Sequence, residues 1–444
     1  MGEVLSLTQQ QILDLAPDAS SRKSGQDLGH ARKWAALGTD GRTLWGEIKG
    51  SGASPYRASS DLTDGTSKCS CPSRKFPCKH GLGLMLSHAA SPEAFPKAEP
   101  PDWVAKWIQG RDVRAGKAEA PEAKPVDEKA RAKRAEAREG KVKAGAAELD
   151  LWVRDALRRG LAGIRSEEAA FFDRMASRLV DAQAPGLAQA VQRLYEHASG
   201  SAWPGFTADE TLALATARLG LAARALQDET LPEDTRHDLR EFAGVPYPSD
   251  KLAEIEPVND DWMVGGVVVE PEGKVSKRQI WLVGARTGRT AIVVDFGRPL
   301  PAGPVPGLDF EGAVCFHPGK SLRSSLRDRR ASVRSTPKAV PISAALDAFA
   351  ATMAARPWTE NVPVHLGEVR IGRLDGKPGI SDGTLTMPLA GRRASAFEDA
   401  SAGQPCSVFG LWNGRVLTPL SMSRGDRRYA AGPDASGNDV ARVA

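Results

Sequence analysis

The sequence predicts a multidomain α+β fold: a small ββα module with the ligand pattern of a zinc site, then an all-α helical bundle, then a C-terminal β-rich domain. Three observations predict it. A cluster of cysteines and a histidine sits between an extended stretch and an apolar helix-forming run. Apolar residues recur at helical spacing through residues 146–245. From about residue 257 onward, β-branched runs alternate with glycine-containing turns. At 444 residues the chain is too long for one ordinary domain.

Composition sets the outer bounds. Sixty basic against fifty-five acidic side chains give a formal charge of +5, a mild excess that permits a nucleic-acid partner without requiring one. The first 25 residues lack the basic start and long apolar stretch of a secretory signal. No segment approaches the roughly 18 uninterrupted apolar residues of a membrane span. The expectation is a soluble, cytoplasmic protein with no membrane partner. Five cysteines are an odd number in a reducing compartment, which argues against a disulfide framework.

Residues 1–92 form the first unit. Within it, TLWGEIKGSGASPYRAS (43–59) reads as two extended pieces around a Gly/Ser/Pro turn. Residues 93–110 carry a short helix in PPDWVAKWIQGR, with Asp102 as its cap and Trp103 and Trp107 on one face. Residues 111–145 are dense in charge and nearly free of large apolar side chains, as in a solvated linker that is partly helical over 126–139.

The bundle spans 146–245. Leu149, Trp152, Val153, Ala156 and Leu157 mark its first helical face, and Gly160 is placed to stop that helix. Phe172, Met175, Ala176, Leu179 and Val180 mark the second, with Ser166 as its cap. Pro185-Gly186 breaks the chain before a third carrying Leu187, Val191 and Leu194. Thr207 and Glu210 have the spacing of a capping box, and a short helix follows near 233–242. The β-rich domain spans 257–432. QIWLVGARTGRTAIVVDF reads as two buried strands, Asn413-Gly414 marks a hairpin, and one helix interrupts at 344–355. The last dozen residues read as frayed.

The chemistry concentrates at KCSCPSRKFPCKHGLGLML, residues 68–86. Cys69, Cys71, Cys78 and His80 form a C-x-C, six-residue, C-x-H arrangement. Three thiolates and one imidazole are a tetrahedral donor set for one structural Zn²⁺. Residues two apart on an extended strand face the same side, so Cys69 and Cys71 can share an ion. Pro72 and Pro77 tighten the return, and Gly81 relieves crowding where His80 enters the helix. Lys68, Arg74, Lys75 and Lys79 surround the thiols, and no acidic residue lies between 65 and 92. Such cations favour the thiolates that a metal requires. Four good donors leave no open position, as in a closed structural site rather than a catalytic one.

Other candidates weigh less. His88 reads as a polar helix residue rather than a substitute ligand. Cys315 and Cys406 stand in apolar strand contexts as small core residues. Gly319-Lys320-Ser321 has the ending of a phosphate loop, but its upstream glycine is wrongly spaced and no helix-forming run follows. SLRSSLRDRRASVR (321–334), with five arginines and one aspartate, reads either as a solvated loop or as a phosphate-contacting surface. No hydrolase, zinc-protease or dinucleotide motif is present.

The C-x-C…C-x-H pattern, after short strands and before an apolar helix, resembles the SWIM zinc finger, with Cys69, Cys71, Cys78 and His80 matching its ligands one for one. The arrangement of the whole chain resembles bacterial SWIM zinc-finger family proteins. That resemblance implies a non-enzymatic interaction protein whose SWIM module contacts DNA or a protein partner. It also implies an association of some members with MoxR-type AAA+ ATPases and von Willebrand A proteins, in which this chain would be an adaptor. On the ligand loop, Lys68, Arg74, Lys75 and Lys79 are placed to contact phosphates or an acidic protein surface, and Phe76 to stack. An enzyme with an unrecognised site in the C-terminal domain is the third alternative, and no motif supports it.

Overall fold

The computed structural model describes residues 9–16, 19–50, 54–62, 65–73, 77–116, 128–272, 275–297, 300, 303–390, 393–432 and 440–443. Helices α1 (Gln9–Asp14) and α2 (Ala19–Leu28) lead into a four-stranded antiparallel sheet, and its strands lie in chain order: β1 (Trp34–Thr39), β2 (Thr43–Ile48), β3 (Tyr56–Asp61) and β4 (Thr66–Cys69). Helix α3 (Lys79–Ala90) packs on the sheet through Leu84, against Trp34, Leu44, Ile48 and Ala58. Its opposite side, Leu82, Met85 and Leu86, meets Ile12 and Leu13. The two expected strands are β2 and β3. The outer strands β1 and β4 were not expected, because each is short and lacks an apolar alternation of its own; pairing with the inner strands makes them.

Helix α4 (Asp102–Gly116) is the tryptophan-bearing helix, and it docks through arginines. Asp61 is fully buried on β3 and meets Arg42 at 3.0 Å and Arg111 of α4 at 3.3 Å. Trp103 and Trp107 lie under the guanidinium groups of Arg57 and Arg111.

The charged segment 111–145 is not a linker where it is described. Its start belongs to α4, and α5 (Glu128–Arg158) runs unbroken out of it into the bundle. Ala, Glu, Lys and Arg are strong helix formers, and Val142, Ala146 and Leu149 anchor the helix by burial. Residues 133–141 are its exposed extension. The bundle packs α5, α7 (Ala169–Asp181), α8 (Pro185–Ala198) and α9 (Ala208–Ala225), with α6 (Gly160–Arg165) between the first two. Gly160, at φ +73°, makes the break after α5. Ser166 does not cap α7: its hydroxyl donates back to Gly163 O, and Glu168 holds the cap position. Leu157 and Val180, read as core, are 48% and 57% exposed, because the buried stripe is narrower than the apolar one. The Thr207–Glu210 capping box is formed. Short helices α10 (Glu233–Phe242) and α11 (Ser249–Glu254) follow.

The single β-rich domain expected over 257–432 is two units with separate cores. The first is a closed barrel of β5 (Val258–Glu272), β6 (Val275–Gly284), β7 (Thr290–Gly297), β8 (Phe310–Phe316) and β9 (Arg323–Ser332), in the order β5-β6-β7-β9-β8. Trp262, Val264, Ile280, Leu282, Phe310 and Val314 fill it. The basic patch 321–334 is therefore strand β9 rather than a loop, its arginines alternating with buried Ser324 and with Leu326.

The second unit is a seven-stranded sheet, ordered β12-β11-β10-β13-β14-β15-β16, with helices α12 (Ile342–Ala355) and α13 (Arg393–Ser401). Its strands are β10 (Val362–Leu374), β11 (Lys377–Ser381), β12 (Thr386–Pro388), β13 (Cys406–Trp412), β14 (Leu417–Arg424), β15 (Arg427–Ala431) and β16 (Val440–Arg442). Helix α13 was not expected; Phe397 holds it to the sheet. Val440–Arg442, read as frayed, pairs with β15. Cys315 and Cys406 are buried as expected. Among the described residues, no helix is long and apolar enough to cross a membrane.

The bundle meets the barrel through two carboxylates of α10, of which Glu241 accepts from the Ser321 hydroxyl at 2.6 Å. Asp238 of α10 is buried and accepts from the backbone amides of Lys320 (3.0 Å) and Ser321 (2.8 Å), with Arg356 at 3.2 Å. The Gly319-Lys320-Ser321 turn thus spends its amides on an internal anion, which explains why its likeness to a phosphate loop stops at the sequence. We predict that Asp238→Ala leaves the Lys320 amide, the buried Ser321 amide and the Arg356 guanidinium without this acceptor and costs about 2–4 kcal/mol. Urea unfolding would measure it, with zinc content unchanged because the metal module lies elsewhere.

Candidate metal centre

Each donor is placed by a different local device. Cys69 ends β4, and Cys71 follows two residues on. Between them Ser70 is tied to β3: its amide donates to Arg57 O (3.0 Å) and its hydroxyl accepts from Arg57 N (2.9 Å). Fixing Ser70 on that side leaves both cysteines facing the other way. Cys78 is the N-cap residue of α3, with extended backbone, and His80 lies in the first turn. Gly81 is what lets this turn approach the sheet. A Cβ there would lie 2.4 Å from Ser67 Oγ and push α3, with His80, away from β4.

The four side chains converge. Their donor atoms all lie within 4.8 Å of one another, and His80 Nδ1 is 3.7 Å from Cys69 Sγ. A tetrahedral zinc with sulfurs about 2.3 Å away has donor–donor edges of about 3.8 Å. The set matches that size with small side-chain adjustments, and its three sulfurs and one nitrogen suit one zinc ion. Cys78 and His80 are buried, while Cys69 and Cys71 are half-buried. The Tyr56 ring, 5.2 Å from the imidazole, backs His80 from β3.

The electrostatics explain why a cation belongs here. The thiol of Cys69 is pushed up, first as hydrogen-bond donor to Cys78 and then by burial. Cys78 is brought down to about 4 by that same hydrogen bond, helped by His80 and the Gly81 amide against the cost of burial. Burial raises Cys71. Packed this closely, the three sulfurs favour a shared hydrogen-bonded proton over three charges, and a cation removes that conflict.

Of the expected contact residues, Lys68 and Lys79 are exposed on either side of the cluster. Arg74, Lys75 and Phe76 lie outside the described residues. His88 stands apart at the far end of α3, edge-on to Phe95 at 5.0 Å, where burial lowers its pKa. Ser70 and Tyr56 were not singled out from the sequence. Their roles rest on pairing across β3 and β4, and no local pattern carries that.

Comparison with known families agrees with this geometry. The model of the SWIM zinc finger matches residues 61–89, and that of the SWIM-associated four-helix bundle domain matches residues 137–243. The chain carries a SWIM zinc finger and a SWIM-associated bundle domain. The first SWIM match brackets all four donors, and the second runs from residue 137, within α5, through α10. No curated protein and no solved structure matches the chain.

Two outcomes follow for the SWIM centre. Cys71→Ser removes a donor, so zinc is lost and residues 43–90 unfold locally while the bundle stays intact. Metal analysis with circular dichroism tests this, and full zinc retention contradicts the assignment. Metal uptake must also displace protons from the cysteine thiols. Zinc affinity then falls by about tenfold or more for each unit the pH drops from 8 to 6, as read by chelator competition; a flat profile contradicts the donor set.

Proposed function

We propose that this protein is a non-enzymatic, zinc-stabilised interaction protein whose finger contacts the phosphates of a nucleic acid. One observation carries the reading. Beside the zinc donors lies a groove of about 560 Å³, bordered by Ser20, Ser24, Lys49, Tyr56 and Lys79, with no carboxylate in its lining. Hydroxyls and ammonium groups without competing acids are what positions a phosphate backbone. Lys68, next to Cys69 on β4, is a further exposed cation of the finger. Zinc here is a staple: it holds β4 and α3 in the relation that forms the groove.

Affinity for a labelled oligonucleotide, followed by fluorescence anisotropy, tests this. We expect binding to weaken as salt rises. The double variant Lys68→Ala, Lys79→Ala should bind about tenfold more weakly and reduce the log–log salt slope by about 1.5. A finger whose oligonucleotide affinity is untouched by both substitutions turns the reading toward a protein partner, such as the AAA+ ATPase that an adaptor would serve.

A further inference from the structure

A second cavity among the described residues has none of the four metal donors in its lining. It is a cleft of about 2110 Å³ between the bundle and the barrel, well beyond the roughly 300–1,000 Å³ of small-molecule sites. We propose that this cleft binds single-stranded nucleic acid, with the outer face of β6 and β7 as its floor. The site is independent of the finger.

The floor follows from strand alternation. Ile280, Leu282, Ala291 and Val293 point into the barrel, so their neighbours point out. Lys277, Gln279 and Trp281 of β6 lie beside Phe296, Val294 and Ile292 of β7 in register, and all six line the cleft. Trp281 and Ile292, at one end, pack toward the C-terminal sheet. At the other end Phe296 is 48% exposed and directly opposite Lys277. An open aromatic ring beside an ammonium group is the pairing that stacks a base and holds its phosphate.

The walls supply more cations. Arg193 of α8, Arg218 of α9, Lys277 of β6 and Arg323 of β9 all line the cleft, and none makes an ion pair among the described residues. Arg218 lies over the Trp203 ring at 4.7 Å with one guanidinium nitrogen buried and unpartnered. Arg193 and Lys277 are close enough to repel, and burial, with that repulsion, lowers the pKa of Lys277. An anion entering between them relieves both costs.

The lining also decides among polyanions. Glu270, Glu272 and Glu360 stand near Lys277. A phosphate-dense duplex or a polyacidic peptide would meet these carboxylates as like charges. A single strand also presents base amino groups, which they can accept. Connectivity points the same way. The first barrel strand pairs with the second and the fourth, and the third and fifth run parallel. This is the arrangement of OB-type barrels, which bind oligonucleotides across their second and third strands. That likeness is an analogy of fold; the side chains carry the assignment.

The test uses the full chain with Lys68→Ala and Lys79→Ala already in place, so that failure at the finger and failure at the cleft are separable. The probe is a labelled 12-nucleotide oligodeoxyadenylate, whose bases carry amino groups, followed by anisotropy. Phe296→Ala should weaken binding at least tenfold, and Phe296→Tyr should keep it within about threefold. Arg193→Gln with Lys277→Gln should lower the log–log salt slope by about 1.4, two contacts' worth for a single strand. A duplex of equal length should bind at least tenfold more weakly. Circular dichroism and zinc content of each variant exclude misfolding. The proposal is overturned if the oligonucleotide does not bind at low salt, if folded Phe296→Ala binds like its parent, or if polyglutamate displaces the strand competitively.

Discussion

Three sulfurs within 4.8 Å of one another cannot all carry charge unless a cation stands among them. The architecture of the first unit depends on that constraint. Cys69 and Cys71 come from the end of a strand, and Cys78 and His80 from the beginning of a helix. An ion that draws them together also sets the angle between β4 and α3. The sheet is four short strands and the core beneath it is small, so the ion reinforces the packing of Leu84 in fixing that angle. Metal binding and folding of this module are then one free-energy change.

Elsewhere the units are joined by buried carboxylates rather than by metal. Asp61 holds α4 through Arg111 and also pairs with Arg42 of its own module. Asp238 holds the bundle to the barrel. Asp309 pairs with Arg428 at 2.6 Å, both buried, and also accepts from the amides of Val264 and Ser335, linking barrel to C-terminal sheet. Each acid is met by two or more donors, which offsets its desolvation. These contacts fix orientation, since a carboxylate satisfied by amides of one unit and a guanidinium of another permits one geometry.

The near-neutral total charge conceals uneven local placement. Around the zinc cluster the sequence holds cations and no acids for 28 residues, 65 through 92. In the central cleft, cations and acids mix, and selected cations lack partners. A single number for net charge cannot distinguish these settings, which favour different ligands.

The sequence by itself determined the elements whose cause is local. The four zinc donors, the Thr207–Glu210 capping box, the Gly160 break, the β6–β7 pair and the Asn413-Gly414 hairpin all rest on spacings of a few residues, and each is where the pattern placed it. Only the tertiary structure decided the rest. Strands β1 and β4 exist because β2 and β3 offer them partners. The charged stretch before residue 145 is helix because Val142 and Leu149 find a core. The 321–334 patch is a strand because β8 pairs with it. The division of 257–432 into barrel and sheet depends on closure between β5 and β8, which are about forty residues apart at their nearest. The reason is common to all of these: a periodicity or a turn is written into neighbouring residues, whereas a pairing is a property of two distant segments and belongs to neither alone.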